Sequence, residues 1–134
     1  DEIEALADEF PDTSAIVDHF GHCVPSRDDS PVPEFERLIS MARYPNLNVK
    51  LSEFPRASNQ KFPYVDMFAW VHQLIEAYSA GRLMWGTDFP FIVEQAGYDK
   101  GWEIAHRIEP AIGPDLIDQI LGGTCEKLFG MWGG

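Results

Sequence analysis

The chain has 134 residues, of which 45% are hydrophobic and 13% aromatic, a composition sufficient for one packed core. Its formal net charge of −12 disfavours nucleic acid and anionic lipid as partners, because an acidic surface repels both. There is no apolar run near the roughly 18 residues of a membrane span, and the two cysteines form no metal-ligand or disulfide pattern. We therefore expect a cytoplasmic protein without membrane or nucleic-acid partners.

Helices and strands alternate through most of the chain. Apolar residues at helical spacing predict helices, and short apolar runs that end in polar residues predict buried strands. The predicted order is helix 2–10, strand 14–17, helix 33–43, strand 47–52, loop 53–63, helix 64–78, strand 82–85, a loop through Gly97, and helices 99–109, 116–121 and 125–129. This alternation is typical of a parallel α/β fold.

Polar side chains follow each predicted strand. Asp18-His19 follows the first strand, Lys50 to Glu53 ends the second, and Thr87-Asp88 follows the third. In parallel α/β proteins the carboxyl ends of the strands lie at one edge, where reactive groups cluster. A buried Asp or His is unfavourable unless it is paired, hydrogen-bonded or bound to metal. These strand ends are therefore the candidate site.

Four ordered motifs resemble the amidohydrolase-related (type 2) family, which includes metal-dependent hydrolases, pyrone-dicarboxylate and sugar lactonases, and related decarboxylases. The resemblance covers nearly the whole chain. The motifs are Ile16-Val17-Asp18-His19-Phe20-Gly21, Asn48-Val49-Lys50-Leu51-Ser52, Arg82-Leu83-Met84-Trp85-Gly86-Thr87-Asp88-Phe89-Pro90, and Ile120-Leu121-Gly122-Gly123-Thr124.

The resemblance implies the C-terminal part of a (β/α)8 (TIM) barrel. The three predicted strands would be strands six, seven and eight of that barrel, with their flanking helices. Residues 1–134 would form a single partial domain, since a complete barrel needs about 250 residues. The first residue is Asp1 rather than Met, and we expect the earlier strands to lie outside this sequence.

The same resemblance assigns catalytic roles to His19 and Asp88. Asp88 matches the aspartate that acts as general base on water, and both residues match family metal ligands. Imidazole and carboxylate suit zinc or manganese. Some lactonases with these motifs work without metal, so both a divalent ion and a metal-independent site are consistent with the sequence. The family's H-x-H pair from strand one is absent from this chain.

Three further residues are candidates for binding a substrate. Arg56 resembles the region where related lactonases hold a substrate carboxylate, which a guanidinium can bind through two hydrogen bonds. His22 and Tyr64 are candidates for substrate hydrogen bonds. The alternatives are a solvated loop charge for Arg56 and an exposed loop residue for His22. Lys50 is more simply an ion-pair partner for a neighbouring carboxylate.

The function predicted by the resemblance is hydrolysis of a carboxylic ester, lactone or amide by activated water. The expected substrate is a small molecule that carries a carboxylate. One alternative is metal-dependent non-oxidative decarboxylation in the same fold. Another is an inactive half-barrel, which would expose unpaired strand edges and could associate into a homo-oligomer.

Overall fold

The computed structural model describes residues 2–26 and 30–130, and within it the side chains of 109–111 are left out. Three short strands form one parallel sheet in the order β1-β2-β3. The strands are β1 (Ala15–Val17), β2 (Leu47–Leu51) and β3 (Leu83–Trp85). The prediction of three parallel strands with flanking helices is confirmed.

Eight α-helices precede, connect and follow the strands in the described residues. They are α1 (Glu2–Glu9), α2 (Pro33–Ser40), α3 (Phe54–Ala57), α4 (Phe68–Tyr78), α5 (Phe91–Gln95), α6 (Tyr98–Ile112), α7 (Pro114–Asp118) and α8 (Thr124–Phe129). Single turns of 3₁₀-helix precede α4 and β3, and a π-helical turn over Gln119–Gly123 joins α7 to α8. Among these helices, none has the length and apolar character that a membrane crossing needs.

Two predicted loops contain a helix. The loop predicted over 53–63 includes α3, and the loop predicted through Gly97 includes α5. Both helices are four or five residues long, which is too short for an apolar period of 3.6 residues to become visible in the sequence. Pro55 lies in the first turn of α3, where its missing N–H is tolerated.

The core lies between the sheet and the helices that follow β1 and β2. Val49 in the central strand and Leu83 in β3 are fully buried. Phe35 of α2 stacks on Trp70 of α4, with ring centroids 3.8 Å apart. This packing fixes β2 between its neighbours, and its carboxyl end lies beside those of β1 and β3.

The apolar face of α1 is largely exposed. Of the residues that predicted this amphipathic helix, Ala7 is buried, whereas Ile3, Leu6 and Phe10 are exposed. These three side chains and Ile16 of β1 line an apolar groove with a volume of about 530 Å³. The groove also borders Asn46 and Leu47, where β2 begins.

Candidate active site

The three strand ends share an unusual backbone conformation. His19, Glu53 and Asp88 have φ values of 53°, 67° and 60°, in the left-handed region that residues other than glycine rarely occupy. Each follows a different strand of the sheet. Such conformations concentrate at functional sites, because the surrounding structure must hold them in place.

The structure brings His19 and Asp88 together. Nε2 of His19 lies 3.8 Å from Oδ1 of Asp88, and their side chains are 19% and 14% exposed. The separation is longer than a hydrogen bond, so both atoms keep their capacity to bind a third group. An imidazole and a carboxylate therefore converge at the edge of the sheet where the strands end.

Ser52 forms a hydrogen bond with the other ring nitrogen of His19, Nδ1. Its hydroxyl oxygen lies 2.8 Å from Nδ1 of His19, and Ser52 is completely buried at the end of β2. Hydrogen bonding at one ring nitrogen fixes the orientation and the tautomer of an imidazole. The Nε2 side of His19 consequently points towards Asp88.

Gly86 allows the ends of β2 and β3 to approach closely. A Cβ atom at this position would lie 3.1 Å from the side chains of both Lys50 and Ser52, closer than an ordinary contact. The glycine directly precedes Thr87 and Asp88. Its missing side chain therefore lets the Asp88 segment lie against the strand end that carries Ser52.

A second cluster at this edge contains His22, Glu53 and Arg56. Oε2 of Glu53 lies 3.2 Å from Nδ1 of His22, and its Oε1 accepts a hydrogen bond of 2.7 Å from Arg56. The rings of His19 and His22 have centroids 5.1 Å apart, so the two clusters are adjacent. The structure thus places two predicted substrate-binding residues beside the His19–Asp88 pair.

Tyr64 lies in a different environment from the other candidates. It is buried in the hydrophobic core with φ of 61°, and its ring makes an edge contact with Phe62 at 5.9 Å. Burial raises the pKa of its hydroxyl. Its role in substrate binding stays a prediction.

Lys50 is an ion-pair partner, as expected. Its Nζ lies 2.6 Å from Oδ1 of Asp18, which joins the end of β2 to the end of β1.

Cys23 is buried. Burial is the main cause that raises the pKa of its thiol, and the nearby Glu34 carboxylate raises this pKa further. A thiol with a raised pKa forms little of the nucleophilic thiolate at neutral pH.

Sequence reasoning placed 50–53 at the site but gave no role to Ser52 or Glu53. The sequence signal for a role was their position, because both polar residues directly follow the apolar run of β2. The structure buries both of them. Their partners lie 31 and 33 positions away in the sequence, at His22 and His19. The pairing depends on the parallel register of β1 and β2, which a single sequence does not show.

The candidate metal ligands form a pair rather than a larger set. Within residues 2–26 and 30–130, no group of three or more His, Cys, Asp or Glu side chains is placed to hold a metal ion. A zinc site in an enzyme commonly has three protein ligands. His19 and Asp88 together supply two atoms of suitable chemistry, one nitrogen and one oxygen.

Comparison with known proteins identifies the family. Residues 1–131 match the family of amidohydrolases, and the chain belongs to this family. The 4-sulfomuconolactone hydrolase of Hydrogenophaga intermedia is 32% identical over 75 residues, which are 56% of this chain and 24% of that protein. The resemblance inferred from the four motifs is confirmed.

Solved structures confirm the fold class. An amidohydrolase from Burkholderia multivorans with bound zinc has a TM-score of 0.83 at 19% identity, and the match covers 98% of this chain and 49% of that one. A Pseudomonas putida protein assigned as a 2-pyrone-4,6-dicarboxylic acid hydrolase has a TM-score of 0.79 at 23% identity, covering 96% and 48%. The chain therefore corresponds to half of an amidohydrolase barrel and spans about half the length of these proteins.

Proposed function

We propose that this chain supplies part of the active site of a barrel hydrolase that opens a lactone or a related ester with activated water. The observation that carries the proposal is the approach of His19 Nε2 and Asp88 Oδ1 to 3.8 Å at the strand ends. The relative named a lactone hydrolase supports a lactone as the substrate class. The same name favours hydrolysis over decarboxylation.

Asp88 is the general base of the proposed reaction. Its carboxylate takes a proton from water as the water oxygen forms a bond to the carbonyl carbon, and the carbonyl electrons move to oxygen. In the tautomer with a proton on Nε2, His19 donates a hydrogen bond to that developing oxyanion. When the tetrahedral intermediate collapses, the ring C–O bond breaks and Asp88 returns its proton to the departing oxygen.

A divalent metal fits the same two residues in the other tautomer of His19, in which Nε2 carries no proton. His19 Nε2 and Asp88 Oδ1 would be two of its ligands, and further ligands would come from outside the described residues. A bound ion would polarise the carbonyl and lower the pKa of water. The zinc-containing Burkholderia multivorans structure supports this cofactor for the complete protein.

Arg56 and His22 are proposed to bind a carboxylate of the substrate. Their side chains are 69% and 64% exposed beside the His19–Asp88 pair. A guanidinium offers several N–H donors in a plane, a geometry that matches a carboxylate. The dicarboxylic acid in the name of the Pseudomonas putida structure supports substrates of this kind.

The apolar groove beside β1 supports the proposal that the chain works as part of a larger barrel. Exposed apolar surface next to an unpaired strand edge is unfavourable in water and is normally covered. The two solved structures contain about twice as many residues as this chain. We propose that this remaining half covers the groove and completes the site.

Asp88→Asn in the full-length protein tests the proposed function. Asparagine tolerates the left-handed backbone at this position, so the fold should be retained. Loss of a general base should lower kcat for 2-pyrone-4,6-dicarboxylate by about 10²-fold or more. The control Asp118→Asn changes an exposed carboxylate on α7 and should leave kcat unchanged. Full activity of Asp88→Asn contradicts the assignment, and release of carbon dioxide would indicate decarboxylation.

A further inference from the structure

Glu53 is a buried carboxylate that the proposed hydrolysis does not use. Its side chain is 7% exposed, and its backbone has φ of 67° directly after β2. Burying an ionised carboxylate is unfavourable by several kcal/mol unless partners compensate it. The two oxygens of Glu53 face two different donors, His22 and Arg56.

The two partners of Glu53 differ from it in exposure. The imidazole of His22 and the guanidinium of Arg56 are mostly exposed, and each contacts Glu53 through one nitrogen. For Arg56 this nitrogen is one of the two terminal ones, which leaves other N–H groups of the guanidinium facing outward. The buried carboxylate of Glu53 therefore binds one nitrogen of each of the two exposed side chains, His22 and Arg56.

We infer that Glu53 is a positioning residue that holds His22 and Arg56 side by side as the receptor for the substrate carboxylate. This inference rests on the proposed function. Long exposed side chains lose rotamer entropy when they bind a ligand, and holding them in place beforehand reduces that loss. Glu53 therefore sets substrate affinity without touching the reacting carbonyl.

Glu53→Gln separates positioning from a general packing role. Glutamine keeps the size of the side chain but has only one acceptor oxygen for two donors. If its oxygen accepts from Arg56, its amide N–H faces Nδ1 of His22, which must then accept. Nδ1 of His22 should therefore carry a proton in the wild type and none in the variant, a change that ¹⁵N NMR of the imidazole detects.

Kinetics give a second measurement. For 2-pyrone-4,6-dicarboxylate, Glu53→Gln should raise KM by about tenfold with little change in kcat, because the ion pair that orders Arg56 becomes a weaker hydrogen bond to a neutral oxygen. For 2-pyrone, which has no carboxylate, KM should not change. In an Arg56→Met background, the effect of Glu53→Gln on KM should largely disappear, as expected for two residues that act together.

Glu76→Gln is the matched control. Glu76 is exposed on α4, and this substitution removes the same charge from the protein without touching the site. It should alter neither KM nor the protonation of Nδ1 of His22. A fall in KM for Glu53→Gln would overturn the inference, because it would mean that Glu53 only neutralises Arg56 and weakens its attraction for anions.

Failure of the proposed function can be told apart from failure of this inference. If the wild-type protein hydrolyses neither pyrone nor other lactones that carry a carboxylate, the proposed function is wrong, and the protonation of Nδ1 of His22 decides whether Glu53 positions it. The same protonation of Nδ1 of His22 in the wild type and in Glu53→Gln overturns the positioning role. Hydrolysis by the wild type with equal KM values in both proteins also overturns it.

Discussion

The hydroxyl oxygen of Ser52 lies 2.8 Å from Nδ1 of His19, on the side of the ring opposite the nitrogen that approaches Asp88. Ser52 lies at the end of the central strand and is completely buried, so its hydroxyl can fix the orientation of the imidazole. Partners of this kind orient the reactive side chain, and replacing them commonly costs about 10- to 100-fold in metal affinity or activity.

Ser52→Ala should therefore impair the proposed reaction although Ser52 does not contact the substrate. Without the hydroxyl, His19 can rotate or change tautomer, and kcat should fall by about 10- to 100-fold with a smaller change in KM. Steady-state kinetics in the full-length protein would measure this. Ser40→Ala removes an exposed hydroxyl at the end of α2 and should have no effect. Equal kcat values for both variants would contradict the positioning of His19 by Ser52.

The strands were predictable because each one is a short apolar run with a clear end. The predicted strands 14–17, 47–52 and 82–85 differ by one residue at one end from Ala15–Val17, Leu47–Leu51 and Leu83–Trp85. Buried parallel strands are continuously apolar, and proline or glycine residues lie near the ends of these runs.

The environment of α1 was less predictable. Its spacing of Ile3, Leu6 and Phe10 identifies a helix with an apolar face, and the helix is present. The periodicity of the apolar residues does not identify what covers that face. In the described residues the apolar face lines the groove beside β1. The sequence thus predicts the helix α1 but not the surface that covers its apolar face.

The candidate site was predictable at the level of strand ends but not of side-chain pairs. Apolar runs that finish in polar residues indicated His19 and Asp88, which the structure brings together. The contacts of Ser52 and Glu53 depend on side-chain direction after the strand and on left-handed backbone at His19 and Glu53. These features arise from tertiary packing and leave no periodic signal.

Arg82→Lys should destabilise the fold. The guanidinium of Arg82 donates hydrogen bonds of 2.9 to 3.0 Å to the backbone carbonyls of Ala42, Tyr44 and Tyr78, which joins the segment before β2 to the end of α4. One ammonium group cannot reproduce this planar arrangement. Loss of partly buried hydrogen bonds to a charged group should lower the free energy of unfolding by about 2 to 3 kcal/mol.

Urea denaturation would measure the change, with Arg107→Lys as the control. Arg107 is exposed and pairs with Glu103 within α6, so its replacement should change the free energy of unfolding by about 0.5 kcal/mol or less. Equal destabilisation by both substitutions would show that Arg82 does not join these segments.

Tyr78 should make the stability of the fold depend on pH in the alkaline range. Its hydroxyl donates a 2.7 Å hydrogen bond to the carbonyl of Leu38. Burial raises its pKa from 10.0 to about 12, although Arg82, stacked over the ring at 4.8 Å, opposes the shift. The folded state therefore retains the proton at pH values where the unfolded chain has lost it.

The stabilisation from this neutral hydroxyl is fully present below pH 10.0, the ordinary pKa, and decreases as pH rises towards about 12. Tyr78→Phe removes the titrating group and should destabilise the protein by about 1 kcal/mol near pH 8. The difference in unfolding free energy between wild type and variant, measured by urea denaturation from pH 8 to pH 11.5, should shrink with rising pH. A constant difference across this range would mean that Tyr78 ionises in the folded state as readily as in the unfolded chain.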